Sequence, residues 1–388
     1  MHMRRSRILR TLLAAPVALV VIATSADAQQ AVPQRLNFST DSTVPSRQEQ
    51  QPEVRLHGRE FVRAQAILGL VAYGPAFAGM VGRSGVTATA GYLVMAGGTF
   101  FAAAEIARRV EITEARQLLS TRMAWRGALE GLYISAAAEA DEGSIGAAAL
   151  LGGFGGTAAG LLIGKGLTAG EAMATVFGHD LAFLSAAAVT VAIDDDAVDG
   201  AGIGDAARAL ILTGSGWTGY ALGRIYAGSA PYNVTAGDVS ALWSGTAVGA
   251  LASGSLIYDS APSGAVGALV TLGGALAGTY VADRLLVRRY DHSRSEGRLL
   301  SAGMVAGGLM GIGVGVLVTG ENGQSGGVTM GLAAVGGVAG ILLTERYLQP
   351  RGDEGRLVGM SGLSIDPMGF AAVASGMQGR HSLVRFTF

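Results

Sequence analysis

Apolar and small residues run in long blocks separated by short polar joints, ten times between about Glu60 and Leu348. The blocks are far longer than a strand, and small residues recur in them at helical spacing, which predicts helices. These cover 60–81, 85–108, 113–137, 144–165, 168–193, 205–227, 235–258, 264–287, 295–318 and 326–348. Two patterns alternate among them. One opens on a Thr, Ser or Asp cap with an acid close behind; the other centres on a glycine pair, as in Gly152-Gly153, Gly273-Gly274 and Gly336-Gly337. The caps Thr113, Thr168, Thr235, Ser295 and Asp353 are 55, 67, 60 and 58 residues apart, and the anchors Gly97, Gly152, Gly214, Gly273 and Gly336 keep a similar step. Two interleaved series with one period define a repeating unit of two helices. The expected fold is therefore all-α, about ten Gly/Ala-rich helices in five repeated αα-hairpins.

The flanks read differently. Residues 1–28 have four arginines before an apolar stretch and a small-x-small site at Ala26-Asp27-Ala28, the form of a secretory signal. Residues 29–57 are polar, contain three prolines and show no period, as a disordered linker does. The helical repeat is expected over 58–350, with Pro75 kinking its first helix. In the last segment, 351–388, the period changes to two: Val384, Phe386 and Phe388 share one face, and a C-terminal β-hairpin is expected.

Composition sharpens the solvent question. Hydrophobic residues make up 50% and charged residues 15%, and glycine is 61 of 388 residues. A glycine inside a water-exposed helix is about 1 kcal/mol worse than alanine. Dozens of them need a compensating gain, and close backbone approach supplies one. Rows such as Gly152, Gly156 and Gly160, with Gly153, Gly273, Gly274, Gly336 and Gly337, are the expected helix-packing glycines, as in helices that associate in lipid. Several blocks reach the ~20 apolar residues that cross a bilayer core. A soluble bundle with helices buried on all sides is the alternative.

Net charge is −1, and −4 once the leader is removed, so nucleic acid is excluded as a partner. With no cysteine there is no disulfide and no thiolate metal site. Arginines and a lysine gather at the joints that lead into capped helices, and acids at the joints that lead out, an asymmetry of the kind found across membranes. With a cleaved leader the basic joints would lie on the translocated side, which counts against an ordinary inner-membrane transporter. Part of the pattern also follows from helix dipoles in any solvent.

The candidate site is a set of ionisable residues deep inside helices: Arg122, Arg126 and Glu130 on one face, with His179 and Asp180 at similar depth in another helix. Either they line a cavity, or they form an interhelical ion cluster that fixes pairing. Other matches lack context. Gly323-Gln324-Ser325-Gly326-Gly327 follows a helix where a nucleophile elbow needs a strand. Gly153-Phe154-Gly155-Gly156-Thr157-Ala158 lies inside a helix, away from any strand that a dinucleotide loop needs. The Asp194–Asp199 run lacks the spacing of an EF-hand and reads as a solvated turn, while His57, His292 and His381 form no ligand pair. Trp125, Trp217 and Trp243 are within helices and read as packing residues. No catalytic set, cofactor site or metal site is expected.

Val384, Phe386 and Phe388 resemble the C-terminal sorting signal of bacterial outer-membrane proteins, which implies contact with the barrel-assembly machinery. Two or three strands are too few to close a barrel. The glycine-pair hairpins together with this aromatic end resemble the glycine-rich helical-repeat envelope proteins of Gram-negative bacteria. That resemblance carries no activity with it. The expected protein is an exported, non-enzymatic envelope component of the outer membrane or periplasm, structural or passage-forming. Its expected partners are membrane lipid and a second copy of the chain. An inner-membrane transporter or channel and a soluble periplasmic binding scaffold are the alternatives.

Overall fold

The structure is a computed structural model that describes residues 57–82, 85–195, 202–260, 263–319, 326–348, 363–365 and 384–386. The signal-like and linker segments, and cap candidate Asp353, lie outside the described residues. The fold is all-helical. Ten helices are found among the described residues: α1 Gly58–Val81, α2 Gly85–Arg109, α3 Glu114–Ala137, α4 Glu142–Ile163, α5 Ala169–Asp195, α6 Asp205–Ser229, α7 Ala236–Tyr258, α8 Gly264–Val287, α9 Arg294–Thr319 and α10 Gly326–Leu348. Most of the C-terminal segment falls outside the described residues; within it, Leu363–Ile365 pairs antiparallel with Val384–Phe386.

Side chains at the joints explain where these helices begin. Thr235 accepts from the Asp238 amide while Asp238 accepts from the Thr235 amide, a reciprocal capping box. Thr168 and Glu171 make the same exchange ahead of α5, and Ser293 and Glu296 make it ahead of α9. Ser295, expected as that cap, is already inside α9; the side chain two residues earlier has the acid at the right distance. In α1 a π-helical turn, Gly69–Tyr73, directly precedes Pro75. Proline there lacks the amide that would close the regular turn, so the disturbance takes the form of a wider one.

Consecutive helices lie antiparallel, and four of the pairs touch backbone to backbone. A methyl group on Gly127 of α3 would strike the carbonyl oxygen of Gly152 in α4, and one on Gly156 would strike Met123. Gly178 opposes Gly219 and Gly223 in α5/α6. Gly245 opposes Gly278, and Gly249 opposes Gly274, in α7/α8. In α9/α10, Gly303, Gly307 and Gly311 oppose Gly340, Gly336 and Leu332. Four-residue steps on both helices keep such rows in register, because residues i and i+4 lie on one helix face.

Odd-numbered helices contact one another in succession, α1 to α3 to α5 to α7 to α9. Each even-numbered helix from α4 on packs on its own partner and on the odd helix of the pair before it. Among the described residues no two even-numbered helices share a substantial contact, so they form the outer layer. The spine curls at one end, where Arg294 at the start of α9 reaches Glu114 at the start of α3 at 3.0 Å. The largest core cluster sits along this spine and includes Phe177, Val239, Leu242, Val287 and Leu300.

The surface is inverted relative to a water-soluble protein. Gln65, Thr175, His179, Asp238, Ser244, Thr246, His292 and Glu345 are buried, whereas Phe101, Leu151, Leu162, Leu256 and Leu317 are 72–82% exposed. Helix α9 buries three glycines and one leucine and turns its large apolar side chains outward. Seven of the helices are long and apolar enough to cross a membrane.

Candidate functional site

Two buried ion networks are built across the spine. In the first, the Arg126 guanidinium donates through Nε and Nη2 to both oxygens of Asp180, a fork that joins the middle of α3 to the middle of α5. Nη1 of Arg126 also donates to the Arg122 carbonyl oxygen at 3.2 Å. His179 stands between two carboxylates: Nε2 is 2.8 Å from Glu130 and Nδ1 is 3.2 Å from Asp180. The second oxygen of Glu130 accepts from the Trp217 indole at 3.2 Å, bringing in α6. Tyr220 packs on the His179 ring, with centroids 4.4 Å apart.

The structure thus brings Arg126, Glu130, His179 and Asp180 together, and Arg122 contributes its backbone carbonyl. The backbone permits this because Gly216 and Gly219 of α6 lie against His179, where a larger residue would strike the ring or its Cα. Within the network one guanidinium pairs with the Asp180 carboxylate, and the His179 imidazole links Asp180 to Glu130, which is also held by the Trp217 indole. Such mutual pairing is how low-dielectric surroundings hold charge.

The second network was missed from sequence. Asp238, fully buried at the start of α7, accepts from the His292 amide at 3.0 Å and lies 2.9 Å from its Nδ1. His292 Nε2 is 3.0 Å from Glu345 near the end of α10. Thr235 donates its hydroxyl to the His292 carbonyl at 2.5 Å. Burial opposes charge on His292, but the hydrogen bonds with Asp238 and Glu345 outweigh it and hold its pKa up at about 9. Asp291 alongside is shifted upward by burial and by the Asp238 charge. In the sequence His292 sits in a joint 54 residues from one partner and 53 from the other, so nothing local marks it. The one available sign was the acid at the third position after Thr235, which caps α7 and also faces the next joint.

A third cluster closes the end of α8. Asp283, in a π-helical turn, accepts from Tyr226 and Tyr232 and from Arg288 Nε at 2.8 Å.

The acids of the opposite joints have local employment. Asp195 at the end of α5 accepts the Ala265 amide of α8 at 3.0 Å, and Asp259 after α7 accepts the Gly327 amide of α10 at 3.4 Å. Asp194 pairs with Arg208 and accepts the Ile203 amide. Asp196, Asp199 and Ser325 lie outside the described residues.

Of the expected packing glycines, Gly152, Gly156, Gly160, Gly274 and Gly336 face backbone or side chains of their own antiparallel partner. Gly153 faces the Tyr73 ring of α1, and Gly337 faces Val248 of α7 and Met304 of α9. In α4 and α10 the glycine pair therefore serves two interfaces at once. Gly273 is a correction: a side chain there would meet open space, because the α8 row is shifted by one residue and Gly274 makes the contact. Anchors Gly97 and Gly214 likewise face open space. Trp243 packs edge-on against Phe177, and Trp125 lies on the cluster around Leu68 and Tyr73. Trp217 packs edge-on against Tyr220 with its indole bonded to Glu130, but it is 46% exposed. Val384 and Phe386 lie in the terminal strand, and Phe388 is outside the described residues.

No protein family, curated protein or solved structure matches the chain.

Proposed function

We propose that the chain is a non-enzymatic, exported component of the cell envelope. In this reading it is embedded in a membrane as five repeated helical hairpins closed by a C-terminal β-hairpin, and its role is structural. The observation that carries the reading is the inverted surface: large apolar side chains point outward from helices of 22–27 residues, roughly 33–40 Å long, while carboxylates and histidines are enclosed. In water each exposed leucine would forgo about 1.5–3 kcal/mol of burial; in lipid that penalty is absent. A structural role is favoured over a passage by the closed network in which the polar ends of Arg126, Asp180, His179 and Glu130 bond one another.

An outer-membrane position rests on the leader-like start and the terminal aromatic residues. Of the joint cations, Arg288 and Arg294 pair with Asp283 and Glu114, so only part of the basic bias that counts against an inner-membrane position is local pairing. Alkaline carbonate extraction followed by separation of inner and outer membranes tests both parts. Recovery in the carbonate-resistant outer-membrane fraction is the expected result. Release into the soluble fraction overturns the membrane reading, and inner-membrane recovery overturns the location alone.

A further inference from the structure

The even-numbered helices all end at the same face of the bundle, and each carries a cation there: Arg108 and Arg109 in α2, Lys165 just after α4, Arg224 in α6, Arg284 and Arg289 at α8, and Arg346 in α10. All of these are exposed. Arg108 and Arg109 share Glu105, whereas Lys165, Arg224, Arg284, Arg289 and Arg346 have no carboxylate partner among the described residues. Most acids of that face are already engaged: Glu114 with Arg294, Asp238 and Glu345 with His292, Asp283 with Arg288, and Glu171 and Glu296 in caps. Exposed Glu111 and Asp291 are the acids left over, and Asp291 is hydrogen-bonded to Asn233 rather than paired with a cation.

A helix dipole by itself favours a cation at any helix C-terminus. The odd-numbered helices are the control. Helices α3, α5, α7 and α9 have no basic residue in their last two turns, the span that holds Arg224 in α6, and acids follow or close α3, α5 and α7 instead. The cations are thus assigned to one end of the bundle rather than to helix ends as such.

They also stand at the rim of the apolar surface. Tyr280, Tyr290 and Tyr347 are exposed within a few residues of these cations, and Arg284 lies over the Tyr280 ring at 5.2 Å. Exposed tyrosines with cations above an apolar belt match the chemistry of a membrane interface, where the belt meets acyl chains and the cations meet headgroups. Resting on the membrane reading above, we infer that this end is a binding surface for the phosphates of anionic lipid, held by Lys165, Arg224, Arg284, Arg289 and Arg346.

The test uses the full chain purified in neutral detergent. Native mass spectrometry and thermal unfolding compare phosphatidylglycerol, phosphatidylcholine and inorganic phosphate, for the wild type and for a variant with Lys165→Gln, Arg224→Gln, Arg289→Gln and Arg346→Gln. Phosphatidylglycerol should be retained and should raise the unfolding temperature more than phosphatidylcholine. The fourfold variant should lose that preference by about tenfold or more, since each cation near an anionic surface adds severalfold to binding. Equal retention of the two lipids by the wild type overturns the inference, as does an unchanged preference in the variant. Stabilisation by inorganic phosphate equal to that by phosphatidylglycerol overturns the lipid assignment. A variant that fails to fold is replaced by its single substitutions, each expected to lower the preference in part. Carbonate-resistant protein without lipid preference fails this inference alone, and carbonate release fails the membrane reading beneath it.

Discussion

Raising the pH is expected to loosen the joint at His292. Its pKa is about 9 in the folded protein, against 6.5 for a free imidazole. The folded value is the higher one, so the stabilisation is fully present below about pH 6.5 and is lost as the pH rises through 9. At about 1.4 kcal/mol per unit, the shift corresponds to roughly 3 kcal/mol. The proton sits between Asp238 on α7 and Glu345 on α10, so its loss leaves two enclosed carboxylates facing a neutral ring. Histidine NMR read on wild type and His292→Gln gives the pKa directly, and thermal unfolding between pH 6 and 9.5 gives the energetic effect. The wild type should lose roughly 5 °C or more relative to the variant over that range. A His292 resonance titrating near 6.5, or parallel unfolding curves for the two proteins, would show that no proton is held between Asp238 and Glu345.

Arg126→Ala leaves the Asp180 carboxylate enclosed with only the His179 ring beside it and should destabilise by about 3–5 kcal/mol, whereas Arg126→Met with Asp180→Leu should recover most of that loss; equal damage from both changes would contradict a pairing role. Gly307→Ala places a methyl group on the Gly336 carbonyl oxygen and should lower the unfolding temperature clearly. Gly273→Ala meets open space and should be neutral or stabilising by up to about 1 kcal/mol. Identical effects at the two glycines would show that the α9/α10 contact is misplaced. Thr235→Ala removes a cap and the bond to His292, and should cost about 1–2 kcal/mol by chemical denaturation.

Helix positions were largely legible because each block was long and bounded by a chemical signal. Thr113, Thr168 and Thr235 mark starts through an oxygen facing a free amide, and a pattern of that kind lies within four residues. Ser295 misled for the same reason, two eligible serines standing two residues apart. Of the candidate site, Arg126, Glu130, His179 and Asp180 stood out because charge at that depth is rare. Their connection depends on how α3, α5 and α6 meet, which no local pattern encodes. His292 was hidden by its place in a joint, since its burial comes from α7 and α10. Glycine pairs revealed that small residues matter, and the off-by-one row in α8 shows that a motif does not fix which of its two residues faces the neighbour.

On the membrane reading, the apolar outer surface, carried by α9 as well as by the even-numbered helices, faces lipid. The chain has no cysteine, so single cysteines at Phe101, Leu151, Leu309 and Leu342 can each carry one spin label without background. In reconstituted vesicles all four labels should be readily relaxed by oxygen, which concentrates in acyl chains, and poorly relaxed by a water-soluble nickel chelate. Labels relaxed mainly by the chelate would place this surface in water and end the membrane reading.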